Sequence, residues 1–325
     1  MMTRSKDKYL LLFSFCKVVK GEEKSIICDF QKEKIKFIPN EMVTVIEMLQ
    51  EQTFDSVKNQ FIEDVDIFNS YIKFLSDEGF VFYNESNKNF VDIEDYWASP
   101  EIINNAIIEY SFDNYNLRDV LIQLDNLLTK FIEFRFTTFT EENIIEFTEI
   151  LEYSTTSVLR SIRIYIPHDS KEMSQKLIEL VKSFPIVDCI VFYNSKFNRL
   201  IEKDDQQTFF ITQTIEDITK ANIDRKFLVN NIEFFYECQK FNPYYNKKVA
   251  INSKGEIKNC IKNKSVFGNL NDYFIADIVM NNEFQEFWFA THDQIEEVKN
   301  SELRYNYIIT NDLEKTSNGK FKIII

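Results

Sequence analysis

Glycine is scarce in this chain: 325 residues contain five, where about 7% is usual. Backbone that closes around a phosphate needs clustered glycines, and neither G-x-G-x-x-G nor G-x-x-x-x-G-K-[ST] occurs. That argues against a nucleotide-hydrolysing engine. The five cysteines (Cys16, Cys28, Cys189, Cys238 and Cys260) are scattered, with no C-x-x-C pair. Zinc and iron–sulfur sites usually draw several ligands from short loops. Each cysteine also has apolar neighbours, as in Ile27-Cys28-Asp29 and Asp188-Cys189-Ile190, so the set reads as reduced, buried thiols. Two histidines are too few for a compact transition-metal site of the usual kind. No apolar run reaches the about 18 residues of a spanning helix. Met1 to Lys8 is charged, with no cleavable hydrophobic stretch. A soluble, cytoplasmic protein is expected.

Aromatic mass and acid are what the chain has in excess. Apolar residues make up 44%, and 32 phenylalanines supply enough surface for a large core in two or three domains. Net charge is −14, a field that repels nucleic acid and anionic lipid, so neither is expected as a partner. Local basic stretches persist at Lys17 to Lys24 and Lys32 to Lys36.

Pattern divides the chain into three regions, 1–90, 91–241 and 242–325. In the first, Tyr9 to Lys17, Ser25 to Phe30 and Lys34 to Ile38 read as strands, with a turn at Lys20-Gly-Glu-Glu. Asn40 is expected to cap a helix through Met42, Val43, Ile46 and Leu49. Thr53 opens a second helix. Asp64 or Asp66 opens a third, with Phe68, Tyr71, Ile72 and Leu75 on one face, and Gly79 stops it before an extended Phe80 to Tyr83.

The second region alternates. Strands are expected at 106–110, 131–136, 160–166, 187–193 and 209–212, with helices at 117–128, 141–151 and 170–181. Crossovers of this kind build a parallel sheet, so the fold class is α/β, with a partial parallel (β/α) barrel as its core. In the third region, Lys248 to Asn252 and Glu256 to Asn259 form a hairpin turning at Gly255. A helical run follows over Ile278 to Phe289, and the ending Lys320 to Ile325 is expected to pair with a sheet edge.

Residues with chemistry are few. His168-Asp169 follows a strand, where α/β proteins place sites, and His168 as a base would make a hydrolytic enzyme. The competing reading takes Pro167 to Ser170 as a loop and helix cap. Acidic pairs such as Glu141-Glu142 and Asp204-Asp205 suit magnesium or a solvated surface. Trp97 and Trp288 suit a peptide groove or the core.

The order Asn242-Pro-Tyr-Tyr, Gly255-Glu-Ile-Lys-Asn-Cys260, Phe267-Gly-Asn-Leu, Phe284 to Trp288, Asp293-Gln-Ile and Glu302-Leu-Arg-Tyr305 resembles the SPASM domain of peptide maturases. The likeness is to those of grasp-with-spasm (graspetide-type) ribosomal peptide systems. Cys260 matches the first cysteine of that domain, but the later cysteine positions correspond to Val298, Ser301, Tyr307 and Thr310. Residues 106–212 resemble the core of radical S-adenosylmethionine enzymes. There a C-x-x-x-C-x-x-C loop follows the first strand, whereas this chain has Ser111-Phe-Asp-Asn-Tyr-Asn-Leu117. The first region resembles the winged-helix-like PqqD leader-recognition module.

The resemblance implies a degenerate member with no iron–sulfur ligand set, no cofactor and no metal. It implies a non-catalytic component that binds a precursor leader peptide and assists an ATP-grasp ligase, leaving a homodimer open. In the PqqD-like module, a leader adds beside the sheet and lies on the third helix. The peptide groove would then comprise Lys34, Ile35, Lys36 and Phe37 with Phe68, Tyr71, Ile72 and Leu75. The same residues also read as the module's own core. The alternative function is a peptide maturase enzyme of the same ancestry with its own mechanism.

Overall fold

The computed structural model describes residues 8–88, 97–203, 206–224 and 226–324. The acidic pair Asp204-Asp205 therefore lies outside the described residues.

The N-terminal region contains β1 (Tyr9–Leu12), β2 (Cys16–Lys20), β3 (Ser25–Asp29), β4 (Lys34–Ile38), α1 (Asn40–Glu51), α2 (Phe54–Gln60), α3 (Val65–Asp77) and β5 (Val81–Asn84). The single strand expected over Tyr9 to Lys17 is two. A turn closed by Cys16 N–H on the Phe13 carbonyl divides it, and the halves have different partners. β1 pairs antiparallel with β5, and β2 with β3. β3 is buried along its whole length because its sheet, ordered β2-β3-β4, is covered on both faces. Ile27 packs toward α1 and α3 with Met42, Ile46 and Leu75, while Ile26 and Cys28 pack against Phe235 and Tyr236. Asn40 does not cap α1, since Pro39 holds that position without a side-chain bond. Its amide instead donates to the Gly21 and Glu22 carbonyls and accepts from Ser25 Oγ, tying the β2–β3 hairpin to the helix. Gly79, at φ +70°, ends α3 in the left-handed conformation that glycine adopts without strain.

The middle region runs β6 (Asn105–Tyr110), α4 (Leu117–Asn126), β7 (Phe131–Phe136), a 3-10 turn at Glu141–Asn143, α5 (Ile144–Thr155), β8 (Ser161–Pro167), α6 (Lys171–Val181), β9 (Val187–Tyr193), β10 (Arg199–Lys203), β11 (Gln206–Phe210), α7 (Ile215–Lys220) and α8 (Ile232–Lys240). Thr140 and Asn143 form a reciprocal capping box before α5, and Ser170 Oγ accepts from Met173 N–H at the start of α6. β10 was not expected from the sequence. Its Arg199-Leu-Ile-Glu-Lys has no helix before it and reaches β11 by a hairpin.

After α8 come β12 (Lys248–Ile251), β13 (Glu256–Lys258), β14 (Gly268–Asn269), α9 (Ile275–Val279), α10 (Asn282–Gln285), a 3-10 turn at Glu286–Phe289, β15 (Leu313–Lys315) and β16 (Phe321–Ile323). The helix expected over Ile278 to Phe289 is broken, because Asn281 leaves helical geometry and caps α10 with its side chain. The C-terminal strand pairs with β15.

One nine-stranded sheet, in the order β10-β11-β9-β8-β7-β6-β12-β13-β14, spans the second and third regions. β12 runs parallel to β6, so the 241/242 division falls within a continuous sheet. The strands β6 to β9 are parallel and neighbour one another in chain order, and the sheet stays open between edges β10 and β14. The fold is α/β. Along β6 and β8 burial alternates, and along β7 it does so until Arg135, which is buried. Ile108, Phe134, Phe136, Ile162 and Ile164 join Leu121, Phe147 and Leu177 from the helices in the main core, leaving the other face of the sheet to polar side chains.

Candidate functional site

The polar face of the parallel sheet is where charge collects. Strand alternation puts Glu109 of β6, Glu133 and Arg135 of β7, Arg163 and Tyr165 of β8, and Lys248 of β12 on the face opposite the helices. Arg135 is buried. Its Nε donates to Glu133 Oε1 at 2.6 Å and its Nη1 to Thr219 Oγ1 of α7 at 2.6 Å. The guanidinium also lies 5.7 Å from the Tyr165 ring centre. Burial pushes the Glu109 carboxyl above its ordinary range, with Arg135 opposing the shift. Parallel sheets are usually apolar on both faces, so a charged face inside the fold marks a chamber for solvent or ligand.

At the amino ends of the strands, this face opens into a cavity of about 410 Å³ lined by Phe131, Glu133, Arg163, Asp188, Tyr244 and Lys248, among others. The opposite ends border a larger, acidic cleft of about 670 Å³. There Tyr110 OH donates to Glu146 Oε1 at 2.6 Å, and Asp113, Glu142, Glu149 and Arg118 line the rim.

The loop after β6, where the radical-enzyme resemblance expects three cysteines, is filled with aromatic rings. Phe112 adopts φ +70° and stacks on Phe136 at 5.4 Å. Tyr115 OH donates to the Glu109 carbonyl at 2.5 Å, and Asn116 caps α4. Cys260 is fully buried, its Sγ 3.3 Å from Tyr244 OH. At the matching later positions, Val298 is core, and Thr310 Oγ1 accepts from Ile223 N–H and donates to Asn222. Among the described residues no group of three or more His, Cys, Asp or Glu is placed to hold a metal ion. This donor set does not fit an iron–sulfur cluster. All five thiols are free and buried. Burial raises Cys16 and Cys28 to about 12 and Cys189 to about 11, so they stay protonated and unreactive.

The two histidines differ. His168 sits among the rings of Phe192, Phe197 and Phe210, while Ser170 is engaged as the cap of α6. Among the described residues no Ser–His hydrogen bond forms. His292 is completely buried, with Nδ1 2.5 Å from the Arg304 carbonyl oxygen. Burial brings its pKa down to about 4, so the neutral ring donates through Nδ1–H. Its neighbour Asp293 accepts from Arg304 Nε at 2.8 Å and Tyr305 OH at 2.6 Å. Arg304 also donates to the Lys20 carbonyl, and Glu22 N–H donates to the Asn300 carbonyl. Glu302-Leu-Arg-Tyr305 thus locks the β2–β3 hairpin onto the C-terminal region. Gly21 makes this approach possible, since a Cβ there would lie 2.5 Å from the Lys24 carbonyl oxygen and 2.8 Å from Glu302.

The residues expected to bind peptide fall into two sets. Lys34, Ile35, Lys36 and Phe37 form β4, an edge of the three-stranded sheet. Phe37 is half-exposed, with Lys24 Nζ 4.1 Å from its ring centre. Phe68 and Leu75 lie wholly inside the module, in separate clusters with Val57 and Phe80 respectively. Tyr71 and Ile72 are half-buried beside them. The strand and the end of α3 meet through Lys36 Nζ and Glu78 Oε1 at 2.8 Å. Trp97 packs on Phe241 and Lys247, and Trp288 is core. The polar sheet face was not among the expected sites. Its signal was available, since Glu133, Arg135, Arg163 and Lys248 interrupt otherwise apolar strands at period two.

No family model matches the sequence, and no curated protein matches it. Solved structures similar to it include those of Streptococcus suis SuiB. The form bound to S-adenosylmethionine is 13% identical over 93% of both chains, with a TM-score of 0.27. The form bound to precursor peptide SuiA is 12% identical over 94% of both, with a TM-score of 0.28. Likenesses this loose say nothing about what the present chain binds or does. Among the described residues no helix is long and apolar enough to cross a membrane.

Proposed function

We propose that this chain is a peptide-binding component of a ribosomally synthesised peptide modification pathway. It takes the leader of a precursor as an added strand on β4 and assists an ATP-grasp ligase. The observation that carries this reading is the edge. Among the described strands β4 pairs with β3 alone, with Asn230 Nδ2 donating to the Lys34 carbonyl at one end, and Lys34, Lys36 and an exposed Phe37 are spaced along it. Main-chain bonds to an added strand supply affinity, and alternate side chains supply selectivity. Lys34 is exposed on this strand and Lys36 is paired with Glu78 beside it; in a chain with net charge −14 this local basic edge favours an acidic leader. Of the α3 residues expected in the groove, Tyr71 and Ile72 stay partly accessible.

Titration calorimetry of the full chain with precursor peptides, with and without their leaders, tests this. Leader-dependent binding near micromolar, about −8 kcal/mol, is expected. Lys36→Glu and Tyr71→Ala should each weaken it. A folded sample that binds no leader, or binds leaderless peptide equally well, overturns the reading.

The charged sheet face favours a second reading, in which the chain itself modifies the peptide. A mass change in precursor incubated with this chain alone would decide for it.

A further inference from the structure

We propose that the cavity at the amino ends of β6, β7, β8 and β12 binds a small organic monocarboxylate with an apolar body. Among the described residues, two cations face this space without an ion pair, although Glu133 acts on both from a distance. Lys248 Nζ lies 3.5 Å from the Tyr244 ring centre, and among the described residues it makes no ion pair. Arg163, which is exposed, makes none either; it donates to the Cys189 thiol, and Glu133 and Asp188 act on it from a distance. Of the carboxylates lining the same cavity, Glu133 is paired with Arg135 Nε at 2.6 Å, and Asp188 accepts from the neutral Ser161 Oγ at 2.8 Å without contacting either cation.

Leaving an ammonium largely buried without an anion is costly. Burial accordingly brings Lys248 down to about 8. A chain with 52 acidic residues has no shortage of carboxylates to place here, yet none pairs with Lys248 or Arg163. An incoming anion would supply the missing partner.

The surroundings select its type. The fork of a guanidinium matches a carboxylate. Glu133 and Asp188 share the cavity and would repel a dianion such as phosphate more strongly than a single negative charge. Phe131, Phe234 and Tyr244 form apolar walls, which suit an aromatic or aliphatic body. Register adds a positional argument. Lys248, Asn105, Phe131 and Ser161 lie in one row across four strands, so the cavity floor is set by the rigid sheet rather than by loops. This site is independent of the β4 edge and stands whether or not a leader binds there.

The test uses the intact chain, with 3-phenylpropionate as probe in ligand-observed NMR and calorimetry. Its neutral amide and inorganic phosphate form the other arms. Saturable binding of the carboxylate is expected, with the amide and phosphate at least about tenfold weaker. Lys248→Met and Arg163→Gln should each weaken the carboxylate by a similar factor. Arg163 lies at the exposed rim, so its variant remains informative if Lys248→Met does not fold. Binding of the amide as tight as that of the acid, affinity unchanged in folded variants, or no saturable binding overturns the proposal. Phosphate binding as tight as the carboxylate overturns the ligand class.

Discussion

The two faces of the central sheet are built from alternate residues of the same strands and have opposite chemistry. On one, Ile108, Phe134 and Ile164 are fully buried under the helices. On the other, Glu109, Glu133, Arg135 and Arg163 follow one another across β6, β7 and β8. The apolar face contributes stability by removing area from water and is indifferent to pH. The polar face holds charges in place at a desolvation cost, a poor way to stabilise a fold and a good way to prepare a ligand site. Neighbouring residues of one strand therefore serve different ends.

The sharpest way to break this comparison is at adjacent positions. Phe134→Ala should cost about 4 kcal/mol, the range for emptying a fully buried aromatic site, measured by denaturant unfolding. Arg135→Met next to it should cost less, about 2 kcal/mol, because Glu133 remains partly open to water and is incompletely stranded. Replacing both partners, Glu133→Leu with Arg135→Met, should recover most of that loss. If the double variant is no better than the single one, the pair stabilises the fold and the contrast between the faces fails.

The smallest effect concerns Glu109, whose carboxyl is raised above its ordinary 4.5 by burial. A raised acid favours folding while protonated, so its contribution is fully present below the unfolded pKa and lost as pH climbs through the folded one. Glu109→Gln, neutral throughout, should therefore melt above the parent at pH 7 and converge with it on acidification below about 4.5. Melting curves across pH check this, and a variant that melts lower at pH 7 would show that the charge is needed for the fold.

Where a signal was local, the sequence carried it. The periods of α3, α4 and α6, the Ser170 cap, the stop at Gly79 and the turn at Gly255 depend on residues within a few positions of one another. Where two distant segments meet, it did not. Tyr9 to Lys17 reads as one strand because nothing in it records that β1 will pair with β5 while β2 pairs with β3. Asn40 has the chemistry of a cap but meets the Gly21 and Glu22 carbonyls first. Phe68 and Leu75 show a helix face, but periodicity alone does not tell a groove from a core. Glu302 to Tyr305 stood out as a motif, while its work, clamping the β2–β3 hairpin through Arg304 and Asp293, depends on a contact across more than half the chain.

By itself, then, the sequence determined the α/β class, the alternating strands and helices from β6 to β9 and the missing cysteine ligands, because periodicity, capping and ligand chemistry act over short spans. Only the tertiary structure decided that β12 extends the central sheet, that β4 pairs with β3 alone among the described strands, and that Lys248 and Arg163 share a cavity without an ion pair among the described residues. Those facts depend on which strands pair and which charges are left over after pairing, and both are settled when distant segments come together.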